Sequence, residues 1–452
     1  MNRKEAILLM FFSLSLNILF AQQTQKDSVQ SFSLKQAQDY ALENSPLVKN
    51  ANLDLESAKK KIWETTAIGL PQVNSKLAYS YQLTIPSTIE KFVGSMITGF
   101  ESLPEPVKTH LMDSLIKDMR WGLTYDITVT QLLFSGSYLV GLQTTKVYKQ
   151  LSEAAVIKSQ LDVSEQVTNA YYLVLIAQEN KNILDTTYAN TAKILEYIKS
   201  TNAQGLIEET DVDQMQLTVS TLKNVMEMVT RQLEVAKNLL KFQMGIELAQ
   251  KLILTDDINT LLASSDLAVL ATKEFKVESN VDYGLMETQE KLMALNLKLQ
   301  KSTLLPDIAA FYQHEENFNK NSFSFTPPNL IGVSMNIPIF GSGMKIAKIQ
   351  QAKIAVEKAK NSKEQVSLGL QTTFSSAQST FITDVNTYLT KKQNVILAQK
   401  IYNKNVIKYK EGIIGSLELT LAQNQYLQSQ TEYYTSIIDL STAKSKLEKL
   451  LK

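Results

Sequence analysis

Side chains that carry most enzyme chemistry are scarce in this sequence. Its 452 residues include two histidines, His110 and His314, which stand far apart, and no cysteine. The lack of cysteine excludes disulfide bonds, zinc–thiolate sites, thiol catalysis and attachment of lipid to cysteine. There is also no Ser/His/Asp set, no paired-carboxylate signature and no His-Glu-x-x-His motif. We therefore expect neither an enzyme nor a cofactor or metal site.

One segment, Gly341-Ser342-Gly343-Met344-Lys345, has a partial likeness to a phosphate-binding loop. It lacks the Gly-x-x-x-x-Gly-Lys-Ser/Thr pattern with which such a loop surrounds phosphates, and no other stretch supplies that pattern. A similar segment, Ser135-Gly136-Ser137, lies earlier in the chain. We therefore interpret both segments as turns from a strand into a helix, and energy for any work that the protein does must come from elsewhere.

Two acids occupy matching positions after two glycines. Asp211 lies six residues after Gly205, and Glu418 lies six residues after Gly412. Each glycine interrupts a long helical pattern, so each acid falls in the first turn of the helix that follows. The helix dipole alone favours a carboxylate there. The helix dipole is therefore sufficient to explain why an acid stands at each of these two positions, without any functional role.

Charge and hydropathy restrict the class of protein. Lys and Arg number 46 against 45 Asp and Glu, which gives no reason to expect nucleic acid as a partner. Residues 1–21 contain Arg3, Lys4, an apolar run and Ala21, a pattern that predicts a secretory signal peptide. No later segment approaches about 18 uninterrupted apolar residues, the length of a membrane-spanning helix. If the exported chain crosses a membrane, strands must do so.

In two stretches, apolar and polar residues alternate, and each stretch is followed by a turn and a helical pattern. The first, WGLTYDITVTQLLF at 121–134, ends on Phe134 and is followed by a turn at Gly136. The second, LIGVSMNIPIF at 330–340, ends on Phe340 and is followed by Gly341. A period of two predicts strands with one apolar and one polar face. Because Phe134 and Phe340 stand 206 residues apart, we interpret the chain as two copies of one plan.

Each copy has another strand, which follows a helix that ends on Leu-Pro. Leu70-Pro71 precedes an alternating stretch at about 72–84, and Leu305-Pro306 precedes one at about 307–316. The connection 85–120 in the first copy is 29 residues longer than its counterpart. It contains amphipathic segments, and a loop of this length is usually functional or mobile.

Long helices complete each copy. Residues 142–204 contain neither proline nor glycine, which permits one helix on the order of 90 Å long at ~1.5 Å per residue. After Gly205, a strict heptad of apolar residues comprises Val212, Met215, Val219, Leu222, Met226, Val229, Leu233, Ala236 and Leu240. A shift of 207 residues maps this seam onto Leu419, Ala422, Tyr426, Ser429, Tyr433, Ser436, Leu440, Ala443 and Leu447. Both copies are predicted to end in a helical hairpin that packs as a coiled coil.

Four strands are too few for a membrane channel within one chain. Membrane barrels begin at about eight strands, and an open sheet edge is not viable in lipid. If these strands cross a bilayer, several chains must share one barrel. The aromatic residues Tyr79, Tyr81, Trp121 and Tyr125 lie on the apolar faces, as an interfacial aromatic band would. The alternative is a structural coiled-coil protein without a membrane barrel, whose strands cap one end as a small sheet.

These features together resemble the TolC-like outer-membrane efflux proteins. The resemblance rests on the duplicated plan, on the helix-Leu-Pro-strand and strand-Phe-Gly/Ser-helix junctions, and on GLIEETDVDQ at 205–214 and YKEGIIGSLELTLAQNQY at 409–426. It covers about 32–452. It implies a mainly helical fold with membrane strands: a homotrimer with a twelve-stranded barrel in the outer membrane, continued by a long helical barrel into the Gram-negative periplasm.

The implied function is that of an exit duct in a tripartite efflux or type I secretion system. Such a duct is a passive conduit for drugs, other small molecules or proteins, and its partners are a periplasmic adaptor and an inner-membrane pump. Some members carry a lipid on an N-terminal cysteine, whereas this cysteine-free chain would depend on its barrel to stay in outer-membrane lipid. The rival class is a periplasmic adaptor. An adaptor has one helical hairpin between halves of small β-domains, so two hairpins and two strand pairs favour the duct.

The resemblance also implies a gate at the helical turns. In the family, the hairpin tips converge on the channel axis, and a tyrosine three residues before the second glycine bonds the acid of the first hairpin. The matching residues here are Tyr409 and Asp211, although Tyr409 could equally pack in the coiled-coil seam. Glu418 stands at one of the family's acidic constriction rings. Ile414 and Leu421 replace an arginine and a second acidic ring, which implies a gate with fewer ionic contacts.

The predicted organisation has four segments. They are a signal peptide at 1–21, a first repeat at 22–246, a linker or equatorial segment at 247–280 and a second repeat at 281–452. The first repeat comprises strands at about 72–84 and 121–134, an extracellular loop at 85–120 and a helical hairpin at 136–246. The second comprises strands at about 307–316 and 330–340 and a helical hairpin at 343–452.

Overall fold

The structure, a computed structural model, describes residues 30–263, 267–318 and 327–452. The predicted signal peptide at 1–21 lies outside the described residues. The chain divides into two compact units. The first unit contains the described residues up to Asn50 together with Ile157–Asn280 and Leu370–Lys452, and the second contains Ala51–Val156 and Val281–Gly369.

The helices and strands follow one another in a regular order. The first half of the chain contains β1 (Gln30–Phe32), α1 (Leu34–Asn44), α2 (Pro46–Ile68), β2 (Gln72–Tyr81), α3 (Ser87–Thr98), α4 (Glu105–Met119), β3 (Trp121–Phe134), α5 (Gly136–Asn202) and α6 (Glu209–Met244). The remainder contains β4 (Leu252–Leu254), α7 (Ile258–Ala263), α8 (Leu267–Ala271), a 3-10 turn (Val277–Ser279), α9 (Val281–Ser302), β5 (Asp307–Asn317), β6 (Asn329–Asn336), α10 (Met344–Lys410) and α11 (Ser416–Leu450).

The element order and lengths confirm the duplicated plan. The sequence α2-β2-β3-α5-α6 returns as α9-β5-β6-α10-α11. Helices α5 and α10 have 67 residues each, and α6 and α11 have 36 and 35. Within the described ranges, none of these helices combines the length and the apolar character needed to span a membrane.

The second unit contains a four-stranded antiparallel sheet with the order β2-β3-β5-β6. Strand β2 ends at Tyr81, three residues before the expected end at 84. Strand β6 covers Asn329–Asn336 rather than 330–340. The alternation continues to Ile339, but Pro338 has no N–H to donate to a neighbouring strand, and the ladder stops before it. The expected strand at 330–340 was therefore too long.

The connection 85–120 is helical over most of its length. Helices α3 and α4 occupy 87–98 and 105–119, and the side chains of Ile85, Val93 and Ile97 are buried. Val93 and Ile97 are four residues apart and lie on one side of α3, whereas Ile85 precedes the helix. The expected loop is thus a pair of amphipathic helices, which we call the outer hairpin (residues 85–120).

The core of the first unit follows the predicted heptad seams. Seven of the nine seam residues are buried on α6, and seven of the nine are buried on α11. The exceptions, Val212 and Met226 on α6 and Ser429 and Tyr433 on α11, are half-buried. Helix α11 buries a second stripe beside its seam, formed by Gln423, Gln430, Tyr434 and Ile437. The burial of both predicted seams is confirmed, with a wider buried surface on α11 than the seam alone predicts.

The described parts of the linker, residues 247–263 and 267–280, are folded and pack with the N-terminal residues of the first unit. Strand β4 pairs in parallel with β1, so that Gln30 stands opposite Leu252 and Phe32 opposite Leu254. Asp256 accepts hydrogen bonds from the Leu34 N–H at 2.7 Å and from the Tyr171 hydroxyl at 3.0 Å. Tyr171 is fully buried, and burial raises its pKa, with a further contribution from the charge of Asp256.

Gly245 ends α6 where two backbones come close. Its φ is +74°, in the left-handed region, and the Ile246 N–H returns to the Lys241 carbonyl at 2.8 Å. A Cβ at this position would lie 2.7 Å from the carbonyl oxygen of Asn44. Only glycine satisfies both requirements without strain.

Candidate channel wall and hairpin-tip site

The strand register gives the sheet of the second unit one mostly apolar face. Val129 stands opposite both Val73 and Tyr312, and Tyr312 stands opposite Ile331, so the four strands share this face. The apolar face comprises Val73, Ser75, Leu77, Tyr79, Tyr81, Trp121, Leu123, Tyr125, Ile127, Val129, Gln131, Ile308, Ala310, Tyr312, His314, Glu316, Asn329, Ile331, Val333 and Met335. Val73, Leu77, Tyr79, Ile331 and Val333 are each more than 65% exposed. An exposed apolar surface of this extent marks contact with lipid or with another protein.

The opposite face of the sheet is mostly polar. It comprises Gln72, Asn74, Lys76, Ala78, Ser80, Gly122, Thr124, Asp126, Thr128, Thr130, Asp307, Ala309, Phe311, Gln313, Glu315, Asn317, Leu330, Gly332, Ser334 and Asn336. Asp126 accepts from the Thr128 hydroxyl at 2.8 Å and from the Gln313 amide at 2.6 Å. Hydrogen bonds across two strands therefore organise this polar face.

Polar residues on the apolar face gather beside the β5–β6 connection. The Asn329 Oδ1 lies 2.8 Å from the Tyr312 hydroxyl and 2.8 Å from the His314 Nδ1. Glu316 lies one step further along the same face of β5. The apolar band thus ends where the strands reach this connection.

Both outer strands of the sheet have an unpaired edge. Among the described residues, β2 pairs with β3 alone and β6 pairs with β5 alone. Unpaired N–H and C=O groups of an edge strand are a template for pairing with another chain. The direction of the strands alternates across the sheet, so β6 of one copy and β2 of the next could pair antiparallel.

The first strand–helix junction is held together by close contacts. Pro71 separates α2 from β2, and the Gln131 amide donates to the Gly69 carbonyl at 2.6 Å. Phe134 is the last residue of β3, and the hydroxyl of Ser135 accepts a hydrogen bond from the Tyr138 N–H at 3.3 Å, which caps α5. A Cβ at Gly136 would lie 2.8 Å from the Leu305 side chain and 3.1 Å from the Ser302 carbonyl oxygen.

The second junction differs from the expected one. Pro306 separates α9 from β5, but Phe340 lies beyond the end of β6 and is 89% exposed. The turn uses Ser342 at φ +48° and Gly343 at φ +78°, whereas Gly341 has no positive φ. The Lys345 ammonium donates to the Thr303 carbonyl at 2.5 Å. This supports the interpretation of 341–345 as a strand-to-helix turn, with Gly343 rather than Gly341 in the left-handed position.

The two hairpin tips are built alike. Gly205 has φ +73° and Gly412 has φ +71°. The N–H after each glycine returns to a carbonyl five residues earlier, from Leu206 to Thr201 at 3.2 Å and from Ile413 to Lys408 at 2.9 Å. This is the glycine-dependent end of a helix in which the last carbonyls are satisfied. The structure therefore explains why both tips have glycine.

The expected hydrogen bond between Tyr409 and Asp211 is not formed. The Asp211 carboxylate instead accepts a hydrogen bond from the Ser416 hydroxyl. The Tyr409 hydroxyl is buried without a hydrogen-bond partner among the described residues. Burial raises the pKa of Tyr409 to about 12, and the nearby charge of Asp211 adds to the shift. The charge of Asp211 therefore affects the pKa of Tyr409, but the hydrogen bond to the Asp211 carboxylate comes from Ser416.

The other predicted tip residues divide into packed and exposed ones. Ile414 packs against the hydrophobic cluster below the tip, which also contains Met215, Leu419 and the ring of Tyr409. Glu418 is exposed in the first turn of α11, and Leu421 is 59% exposed. Within the single chain, Tyr409 packs in the core, which was the alternative to a bond with Asp211. The exposed side chains of Glu418 and Leu421 are available for contacts with other chains.

Sequence reasoning missed Ser416 and a buried polar ladder above it. Ser416 is the first residue of α11, directly after the N-cap Gly415, and no periodic pattern marks it. Further along α11, the amide of Gln423 donates a hydrogen bond to the Thr191 hydroxyl at 3.1 Å, and the amide of Gln430 donates one to the Tyr426 hydroxyl at 2.8 Å. The glutamines lie beside the heptad seam rather than in it, so periodicity alone did not reveal them.

Comparisons with known proteins agree with this architecture. The family model of the outer membrane efflux protein matches residues 38–245 and 286–451. The chain therefore belongs to the outer membrane efflux protein family and is located in the outer membrane. Among curated proteins, no sequence matches it significantly.

Solved structures with the same fold are outer-membrane channels of low sequence identity. A structure of CusC is 14% identical, with a TM-score of 0.72 over 93% of this chain and 92% of that one. VceC from Vibrio cholerae is 14% identical, with a TM-score of 0.69 over 92% and 95%. The open state of MtrE from Neisseria gonorrhoeae is 14% identical, with a TM-score of 0.70 over 92% and 88%. The fold is that of these channels.

Proposed function

We propose that this protein is the exit duct of a tripartite efflux or type I secretion system. It would act as a passive conduit, without catalysis, and carry small molecules, drugs or proteins from an inner-membrane pump to the outside. The observation that carries the proposal is the four-stranded sheet, which has one mostly apolar face and, among the described residues, two unpaired edges.

A trimer would pair the open edges of the sheet in lipid. Unpaired backbone groups cost several kcal/mol each in the hydrocarbon region, so the edges of β2 and β6 must be paired. Three copies supply twelve strands, an even number that allows antiparallel closure. The apolar face would then contact lipid and the polar face, with Asp126 and Gln313, would line the lumen. The outer hairpin would lie outside the cell, because it joins two strands whose other ends lead into periplasmic helices.

The long helices suit a passage through the periplasm. A helix of 67 residues, the length of α5 and of α10, has a contour of about 100 Å. The heptad seams on α6 and α11 allow the helices of each hairpin to pack along their length. By the family relationship, the hairpins would dock with a periplasmic adaptor and its inner-membrane pump.

The hairpin tips would form the periplasmic gate. The Ser416–Asp211 hydrogen bond ties α11 to α6 near the turns at Gly205 and Gly412. Three symmetry copies would bring three Glu418 carboxylates together at the axis. Ile414 is packed and Leu421 is exposed, so the remaining contacts of the gate would be apolar rather than ionic.

Conductance in planar lipid bilayers tests the proposal. The protein extracted from outer membranes should insert and produce discrete current steps, and the Glu418→Ala variant should be blocked less by divalent or trivalent cations from the periplasmic side. Leu217→Ala, at an exposed position on α6, is a matched control that should leave cation block unchanged. Assembled protein that inserts without conducting, even after Ser416→Ala has removed the proposed gate bond, would refute the duct.

A further inference from the structure

The outer hairpin carries an apolar stripe that no part of the described chain covers. Phe92, Met96 and Phe100 follow one another at steps of four along α3 and just beyond it, and they are 55%, 43% and 55% exposed. Val107 and Leu111 continue the stripe on α4 at the same spacing, with 47% and 39% exposure. A step of four residues puts side chains on one side of a helix. The stripe is separate from Val93 and Ile97, which are already buried.

The charge of the outer hairpin fits a protein surface better than a lipid surface. It has four basic residues, Lys91, Lys108, Lys117 and Arg120, and five acidic residues, Glu90, Glu101, Glu105, Asp113 and Asp118. Amphipathic helices that lie on an anionic membrane are rich in Lys and Arg on their polar face. A nearly neutral hairpin has no such attraction, and it can approach an identical hairpin without strong repulsion.

The dimensions allow three outer hairpins to meet. A barrel of twelve strands about 4.8 Å apart and tilted by about 40° has a radius of about 12 Å. Helices α3 and α4 have 12 and 15 residues, which correspond to about 18 and 22 Å. Each hairpin is therefore longer than the distance from the barrel wall to the three-fold axis.

We propose that the outer hairpins of three copies of this chain pack against one another through the stripe and form an apolar cap over the outer mouth. The occupant of the exposed stripe is thus the same stripe of the neighbouring copies. The cap rests on the proposed trimeric duct, since a monomer has no shared mouth to cover. Cargo that leaves the duct must separate the hairpins, and at rest the cap restricts entry from outside.

Cross-linking through introduced cysteines tests the contact directly, because the native chain has none. Phe92→Cys and Met96→Cys should each form disulfide-linked dimers within intact trimers under mild oxidation. Asp113→Cys, exposed on another side of α4, is the matched control and should remain monomeric on denaturing gels. The assembly state is measured separately by native mass, so failure of the trimer and failure of the cap give different results.

A second measurement tests whether the cap restricts passage through the outer mouth. In a Ser416→Ala background, which removes the proposed gate bond at the hairpin tips, the added pair Phe92→Gln and Met96→Gln should increase single-channel conductance and the uptake of large hydrophilic antibiotics. Asp113→Asn in the same background should change neither. Intact trimers in which the stripe cysteines cross-link no more than Asp113→Cys would overturn the cap. Quenching of a fluorophore on Phe92→Cys by spin-labelled phospholipid would overturn it as well, because the stripe would then lie on lipid.

Discussion

Ser416 donates a hydrogen bond to Asp211, and this bond joins the first turns of α11 and α6 just above the two hairpin tips. The Tyr409 hydroxyl is buried near the same carboxylate but has no partner within the described residues. In the proposed gate, Tyr409 would be the alternative hydrogen-bond donor to this carboxylate. In a gate, one bond would be exchanged for the other as the tips move.

The first prediction concerns the Ser416–Asp211 bond. A hydrogen bond to a charged group contributes about 1.5–3 kcal/mol, and less where water can replace it. Ser416→Ala and Asp211→Asn should each raise the open probability in planar bilayers. The double variant should open no more than the stronger single variant, because both changes remove the same interaction.

Thr210→Ala is the control for these variants. Thr210 is an exposed hydroxyl one residue before Asp211, and it donates to Glu208 at 3.2 Å. Its loss should leave gating unchanged. Additive effects of Ser416→Ala and Asp211→Asn would show that the two residues act independently.

The second prediction is a dependence of stability on alkaline pH. A tyrosine ordinarily loses its proton near pH 10, but buried Tyr409 keeps it to about pH 12. Between these values the folded protein binds a proton that the unfolded chain has released. The stabilising contribution is therefore complete below pH 10 and is lost as the pH rises to 12.

Comparison of the parent with Tyr409→Phe isolates this effect. The difference between their free energies of unfolding should be constant from pH 7 to 9 and should fall steadily above pH 10. A difference that does not change between pH 10 and 12 would mean that Tyr409 is hydrated in the assembled protein.

Much of this architecture was predictable because its signals are local. The alternation at 121–134 predicted β3 with both ends correct, and the heptad at 212–240 predicted the buried side of α6. These patterns repeat every two or every seven residues, so one stretch of sequence contains the whole signal. The glycines at the tips likewise follow from the left-handed backbone at a helix end.

Features that depend on distant partners could not be predicted in this way. The pairing of β1 with β4 joins residues more than 200 positions apart, and the strands have only three residues each. The choice of Ser416 over Tyr409 as the partner of Asp211 depends on how α6, α10 and α11 pack. The outer hairpin was missed for another reason: its helices are short, and prolines interrupt the pattern at Pro86, Pro104 and Pro106.

The third prediction distinguishes two glycines with the same backbone conformation. Gly205 and Gly245 have φ values of +73° and +74°, and an L-residue in that conformation costs roughly 1–2 kcal/mol. A Cβ at Gly205 meets nothing within 4 Å, whereas one at Gly245 meets the Asn44 carbonyl oxygen at 2.7 Å. Gly245→Ala should therefore lower the unfolding midpoint in denaturant more than Gly205→Ala. Equal shifts would show that Asn44 moves aside without cost.

The fourth prediction concerns the faces of the sheet. Ile127 lies on the apolar face and Thr128 on the polar face of the same strand. Ile127→Arg would put a charge against lipid at a cost of about 2–4 kcal/mol near mid-membrane, whereas Thr128→Arg would face the lumen. Heat-resistant assembled protein in outer membranes should fall sharply for the first variant and little for the second. Equal losses would contradict the assignment of the faces.

The central claim, that three copies share one barrel, is tested most directly by the native mass of the protein extracted from outer membranes in mild detergent. Among the described residues, the sheet has four strands and two unpaired edges, fewer strands than a closed membrane barrel contains. The account predicts a complex of three chains, each of at most 50.7 kDa, and current steps from that same fraction in planar bilayers. A uniform monomer that inserts and conducts would contradict it.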